Sequence, residues 1–254
     1  MKKTFFILAA AMSLAACNKA VLDAPAEEYG FIDFSVSSDD VIVETKAVSV
    51  ELLNAYNIYF NSELLGTYGS VKDRVYTKST GTYPVYAENI TVKQAETGFG
   101  DLRVASPVTN VTVEANKTAT AKLECIAQSS KLTVAFDDTF TGVFSDYSFK
   151  VEESNGTSRE DGQSSLTITA TENKPIFYNG GVELKYTIEG THTTIGDLTF
   201  GGVVKIEQGH SLAITVKQST QSGGLKIEIT ADDTLINDTS KNVTVDPYNP
   251  VTNL

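Results

Sequence analysis

Apolar and polar side chains alternate with a period of two along most of the chain, and runs at helical spacing hardly occur. The clearest runs are Leu132-Thr133-Val134-Ala135-Phe136, Val182 to Ile188, Leu212-Ala213-Ile214-Thr215-Val216 and Leu225-Lys226-Ile227-Glu228-Ile229. In each, the apolar side chains fall on one face and Thr, Lys or Glu on the other, as antiparallel strands with one wet face require. Asn155-Gly156, Asn179-Gly180-Gly181, Gly201-Gly202, Gln208-Gly209 and Ser222-Gly223-Gly224 punctuate the runs and read as turns. Short strands with frequent turns predict an all-β sandwich architecture. The length predicts two tandem antiparallel β-sandwich domains, residues 30–127 and 128–254, meeting at the polar stretch Ala127-Gln128-Ser129-Ser130. No sequence repeat marks the halves as copies.

Ahead of these strands the pattern changes. Lys2 and Lys3 precede an apolar run from Phe5 to Ala16 that ends in Leu14-Ala15-Ala16-Cys17. Its twelve residues fall short of the roughly 20 that cross a bilayer, so residues 1–16 read as a signal peptide. Small residues before a cysteine match the bacterial lipobox, in which Cys17 becomes the new N-terminus and its thiol takes the diacylglycerol. Several acyl chains at about 0.8 kcal/mol per buried methylene hold such a protein on a membrane. Residues 17–29, with Pro25 and Glu27-Glu28, read as the lipidated tether. Asn18 stands where an aspartate would retain the protein at the inner membrane, so the expected location is the outer membrane, lipid-anchored, at the cell surface.

Composition alters this picture in two places. Removing sixteen of the 254 residues takes away both methionines, leaves 238, and moves the net charge from −12 to −14 through Lys2 and Lys3. An acidic chain with dispersed Lys and Arg has no footprint for nucleic acid. With Cys17 lipidated, Cys125 stands alone, and its place beside Leu123 in an alternating run predicts a buried core thiol.

Candidate chemistry is sparse. No HExxH, GxSxG, P-loop or paired-cysteine motif occurs, and no metal or other cofactor is expected. His192 and His210 stand in polar, glycine-containing stretches that read as surface turns. Asp137-Asp138-Thr139 and Asp232-Asp233-Thr234 each follow a clear strand and read as turn caps at sheet ends. Tyr56, Tyr59, Tyr68, Tyr76, Tyr83 and Tyr86 crowd the first half and would suit stacking on a glycan, although tyrosine is also a favoured strand residue and the chain has no tryptophan.

Short segments spread over nearly the whole mature chain resemble a family of unknown function among Bacteroidetes lipoproteins, related to fimbrillin-type surface proteins of type V pili. They are the lipobox at Cys17, Tyr29-Gly30-Phe31, Glu44-Thr45-Lys46-Ala47, Gly81 to Ala87, Val113 to Thr118, Ser145-Asp146-Tyr147-Ser148 and Asp246-Pro247-Tyr248-Asn249-Pro250. One departure is Thr80, where that pattern prefers proline before Gly81. The resemblance implies transthyretin-like sandwiches and a non-catalytic role in adhesion or pilus-like surface assembly. It also implies that Lys46-Ala47 is a candidate proteolytic processing site, where release of the first strand would let a neighbour's strand add to the sheet. Asp233-Thr234-Leu235 resembles the short acceptor used for O-glycosylation in these bacteria, which makes Thr234 a candidate modification site. The expected partners are the membrane through the lipid and other protein copies through strand addition. The alternative reading is a carbohydrate-binding lipoprotein of a glycan-utilisation system.

Overall fold

The computed structural model describes residues 28–38, 42–43, 46–47, 50–219, 226–235 and 242–245. The protein is all-β, as the alternation predicts, and its strands form facing sheets around two hydrophobic cores.

The first half, which holds the first core, comprises β1 (Tyr29–Ser37), the hairpin β2 (Ile42–Val43) and β3 (Lys46–Ala47), α1 (Val50–Asn54), β4 (Asn57–Phe60), β5 (Glu63–Thr67), α2 (Tyr68–Val71), β6 (Tyr76–Ser79), β7 (Gly81–Glu88), α3 (Val92–Ala95), β8 (Val104–Ala105), β9 (Thr109–Val113), β10 (Thr118–Glu124) and β11 (Ile126–Ala127). One sheet runs β10-β1-β6; the other runs β11-β8-β7-β4-β5, with β9 also on β7. Ile32, Phe34 and Val36 on β1 point inward against Ile58 and Phe60 on β4, Val85 and Ala87 on β7, and Ala121 and Leu123 on β10. Burying each large side chain contributes about 1.5–3 kcal/mol. Cys125 belongs to this core at 1% exposure, and burial pushes its thiol up to about 12.

The second half, which holds the second core, comprises β12 (Ser129–Phe136), α4 (Asp138–Thr141), β13 (Phe144–Glu153), β14 (Ser165–Thr169), β15 (Ile176–Asn179), β16 (Val182–His192), β17 (Gly196–Ile206), β18 (His210–Ser219), β19 (Lys226–Leu235) and β20 (Asn242–Val245). Its sheets run β15-β12-β18-β19-β20 and β14-β13-β16-β17.

The pairing pattern repeats although the sequence does not. In the first core, β1 pairs antiparallel with β6 and parallel with β10; in the second, β12 pairs antiparallel with β15 and parallel with β18. The opposite sheets correspond strand for strand, β5-β4-β7-β9 beside β14-β13-β16-β17. The expectation of antiparallel sheets therefore holds except at one parallel pair per core, where the first strand and a late strand are joined through all the intervening ones. Two differences stand out. Among the described residues, β19 and β20 extend the second sheet beyond β18, while β10 has no outer neighbour. In addition, β16 turns directly into β17, whereas α3 and β8 are inserted between β7 and β9.

Two turn assignments change. Gly201 and Gly202 lie within β17, paired with Thr187 and Tyr186. They allow a close approach: a Cβ on Gly202 would stand 2.5 Å from the Tyr186 hydroxyl, and one on Gly201 3.0 Å from the Tyr186 carbonyl oxygen. Asp232, Asp233 and Thr234 lie within β19, opposite Ala213, Leu212 and Ser211, because pairing with β18 continues to Leu235. The other acidic pair does cap: the Asp137 carboxylate accepts from the Thr139 N–H at 3.0 Å at the start of α4. Asn155-Gly156, Asn179-Gly180 and Gln208-Gly209 are turns with glycine at positive φ, and Ser222-Gly223-Gly224 lies outside the described residues.

Candidate functional site

Two of the predicted site residues lie together. Lys46 and Ala47 form β3, paired with Val43 and Ile42 of β2. This hairpin belongs to neither core sheet and joins β1 to α1. Its neighbour β1 is the middle strand of its sheet, held by backbone pairing from Phe31 to Ser37 along β10 and from Tyr29 to Ile32 along β6. Thr234 lies far along the chain on β19. Cys17, like the rest of residues 1–27, lies outside the described residues.

The tyrosines separate into two sets. Tyr56 is buried, and burial drives its phenol far up from the usual range. Tyr68, Tyr76 and Tyr83 pack on the first core, with Tyr76 edge-on to Phe34 and Tyr83 tilted on Phe60. Tyr59 and Tyr86 face the other way. They are cross-strand partners on β4 and β7, stacked at 4.6 Å with planes 7° apart. Leu64, paired with Tyr59 on the other side, is an exposed large apolar residue of β5, and Val108, just ahead of β9, is another. Because each ring covers a face of the other, the pair offers a sugar fewer free ring faces than two isolated tyrosines would.

The insertion between β7 and β9 carries the densest polar chemistry, and it joins the two cores. Thr91 and Gln94 form a capping box that starts α3. Asn89 closes its base: its amide donates to the Leu102 carbonyl at 2.8 Å, and its oxygen accepts from the Val104 N–H at 2.7 Å. The loop then reaches the second core through several buried charges. Glu96 accepts from the Asn179 N–H at 2.7 Å and from the Glu160 N–H at 3.0 Å. Arg103 donates from Nε and Nη2 to one oxygen of Glu88, at 3.0 and 2.7 Å, and from Nη1 to the Asn179 side chain at 3.1 Å. Arg159, 4% exposed, donates to the carbonyls of Phe177 and Gly98 at 2.9 and 3.0 Å while its guanidinium lies over Tyr178. Asp161 accepts from the Gly98 N–H at 2.8 Å. Phe99 packs on the second core. At Gly100, φ is +74° and a Cβ would collide with the Ala95 carbonyl at 2.0 Å, so only glycine fits that turn.

The polar stretch read as a junction is part of the same contact. Ser129 and Ser130 are fully buried. The Ser129 hydroxyl accepts from the Arg103 N–H at 3.0 Å, the Gly180 N–H donates to the Gln128 carbonyl at 2.7 Å, and the Gly209 N–H donates to Ser129 at 3.1 Å. One residue, Gln128, separates β11 from β12. Such a connection holds its neighbours in place and is no flexible linker.

Sequence reasoning missed Glu96, Arg103 and Arg159 because an isolated charge in a polar loop reads as solvated; the Thr91-Gln94 capping signal was the one local clue to an ordered insertion. It also placed His192 at the surface. His192 is buried at 8% exposure, where it ends β16, rests edge-on against Phe144 and accepts backbone hydrogen bonds at Nδ1. Its turn needs an acceptor on the inside, which the polar look of the segment hides.

Among the described residues, no group of three or more His, Cys, Asp and Glu is placed to hold a metal ion, and no helix is long and apolar enough to cross a membrane.

A family model for a domain of unknown function, DUF4493, matches residues 28–247. A candidate adhesin from Bacteroides ovatus is 11% identical, with 80% of this chain and 92% of that one covered and a TM-score of 0.43. The fimbrial anchor protein Mfa2 from Porphyromonas gingivalis is 10% identical over 82% and 98%, with a TM-score of 0.38. A fimbrial assembly protein from Parabacteroides distasonis is 10% identical over 86% and 99%, with a TM-score of 0.39. No curated protein sequence matches the chain. The family match spans both cores and bears out the resemblance to a family of unknown function: the chain belongs to the DUF4493 family.

Proposed function

We propose that this protein is a cell-surface lipoprotein, anchored through Cys17, with a non-catalytic role in adhesion or pilus-like assembly. In this reading residues 1–16 are the signal peptide, 17–29 the tether, and 30–127 and 128–254 two sandwich domains. The observation that carries it is the placement of β1. Backbone pairing holds it in the middle of a sheet, while the Lys46-Ala47 bond lies in a hairpin outside both core sheets. Cleavage there would leave β1 bound by non-covalent contacts alone, so that a strand of another copy could take its place. The inserted loop and the one-residue connection support the same reading, since they turn two small sandwiches into one stiff body suited to presenting a surface away from a membrane.

Proteolysis of intact cells, comparing wild type with Cys17→Ala, tests the anchored, surface-displayed state. Wild type should be digested from outside and the variant should leave the membrane fraction; protection of wild type on whole cells overturns the reading. Mass spectrometry of surface-purified protein tests the processing step, with chains beginning at Ala47 expected and only chains beginning at lipidated Cys17 counting against it.

A further inference from the structure

The turn that joins β16 to β17 is built around one imidazole. His192 accepts the Thr194 N–H at 3.1 Å and the Ile195 N–H at 3.3 Å, both at Nδ1. Across the ladder it is paired with Phe144 and Gly196. Its ring stands edge-on to Phe144 at 5.0 Å, and Phe144 is stacked in turn on Phe140 of α4 at 4.3 Å. The Thr193 N–H ties the start of the turn to the Val143 carbonyl at 2.9 Å. At its crest Ile195 is 57% exposed, a large aliphatic side chain held out in water by these bonds.

An imidazole nitrogen that accepts must carry a lone pair, so this arrangement needs the neutral ring. Protonation places a hydrogen on Nδ1 that faces two N–H donors, and both bonds are lost together. The ring is buried, so water cannot replace them without the turn opening. The ionisable residues on the strands around it are Asp146 and Tyr147 of β13, Glu189 of β16 and Asp197 of β17. Asp197 is engaged by the Thr191 hydroxyl at 2.7 Å.

We propose that His192 makes the 193–195 turn a proton-sensitive element, closed while the ring is neutral and opened when the ring takes a proton, with Ile195 and the Phe144 ring changing their exposure. The ligand of this site is the proton, and the device stands apart from the surface role proposed above.

The experiment is amide exchange by NMR on the full mature chain, with protection factors of Thr194 and Ile195 followed from about pH 7.5 to about pH 5. Wild type should lose about tenfold in protection at these two amides while the core amides of Ile188 and Val204 keep theirs. In His192→Asn, whose side-chain oxygen can accept in place of Nδ1 but does not titrate, protection should be independent of pH. Unchanged protection in wild type overturns the proposal, as does an equal loss in the variant, which would assign the effect to Asp146, Glu189 or Asp197. The 15N shifts of the His192 ring in wild type give a readout that does not depend on the variant folding: an imidazolium ring coexisting with a protected turn also overturns it.

Discussion

Replacing Arg103 by methionine tests the buried pair that anchors the inserted loop on β7, together with the single bond it sends to Asn179 of the second core. The guanidinium donates twice to Glu88 and once to Asn179, and the two charged side chains are only 14% and 6% exposed. Methionine keeps most of the stem's volume but leaves the Glu88 carboxylate buried without its cation. Breaking a buried pair from one side costs about 3–5 kcal/mol, and losing the Asn179 bond adds about 1 kcal/mol. Replacing both partners, as Arg103→Met with Glu88→Leu, removes the stranded charge and should recover about 1.5 kcal/mol or more relative to the sum of the single changes. Urea titration followed by far-ultraviolet circular dichroism measures each variant, since the chain has no tryptophan for fluorescence. Amide exchange at Ile58 and Leu184 then reports each core separately. An Arg103→Met stability within about 0.5 kcal/mol of wild type, or strict additivity in the cycle, refutes a stabilising Arg103–Glu88 pair.

Three further outcomes are expected. Gly202→Ala should destabilise by about 1–3 kcal/mol through contact of the new Cβ with the Tyr186 hydroxyl, with partial rescue by Tyr186→Phe in denaturant titrations. The Glu153 carboxyl is raised, first by burial and then by the nearby Glu96. A raised acid favours the protonated form in the folded state, so its stabilising contribution is present at low pH and is lost as pH rises through the folded value. Glu153→Gln should therefore raise the urea midpoint at neutral pH and flatten the gain that wild type shows on acidification. Cys125, with its thiol raised to about 12, should resist iodoacetamide in the folded protein and react only in denaturant, as peptide mass mapping would show.

What the sequence made legible was local. Leu132 to Phe136 and Val182 to Ile188 announce their strands because one face of each is buried, and a period of two survives any arrangement of neighbours. The parallel pairing of β1 with β10 and of β12 with β18 leaves no such trace, since each strand would show the same alternation beside an antiparallel partner. Glycines misled for a related reason. Gly201-Gly202 looks like a turn by itself and becomes a strand because the Tyr186 ring needs the space. Buried charges were the least legible, because Arg159 lies in a segment rich in Gly, Glu, Asp and Gln and only the fold brings the Gly98 and Phe177 carbonyls to it.

The repeat explains why the insertion matters. Two sandwiches with corresponding strands would each be small, and a domain of about 100 residues buries a limited share of its surface. The sheet of the second core that holds β18 is extended by the backbone pairing of β19 and β20. The first has no strand beyond β10 among the described residues, and it instead sends the loop between β7 and β9 onto its neighbour. Beside Phe99, which packs on the second core, the loop meets its neighbour through hydrogen bonds to fixed groups, which specify one orientation where an apolar patch alone would tolerate several. Chain continuity through Gln128 and lateral bonding through Glu96, Arg103 and Arg159 connect the cores at separate points. A body tied in this way transmits a pull at one end to the other, which is the mechanical property that the proposed surface role requires.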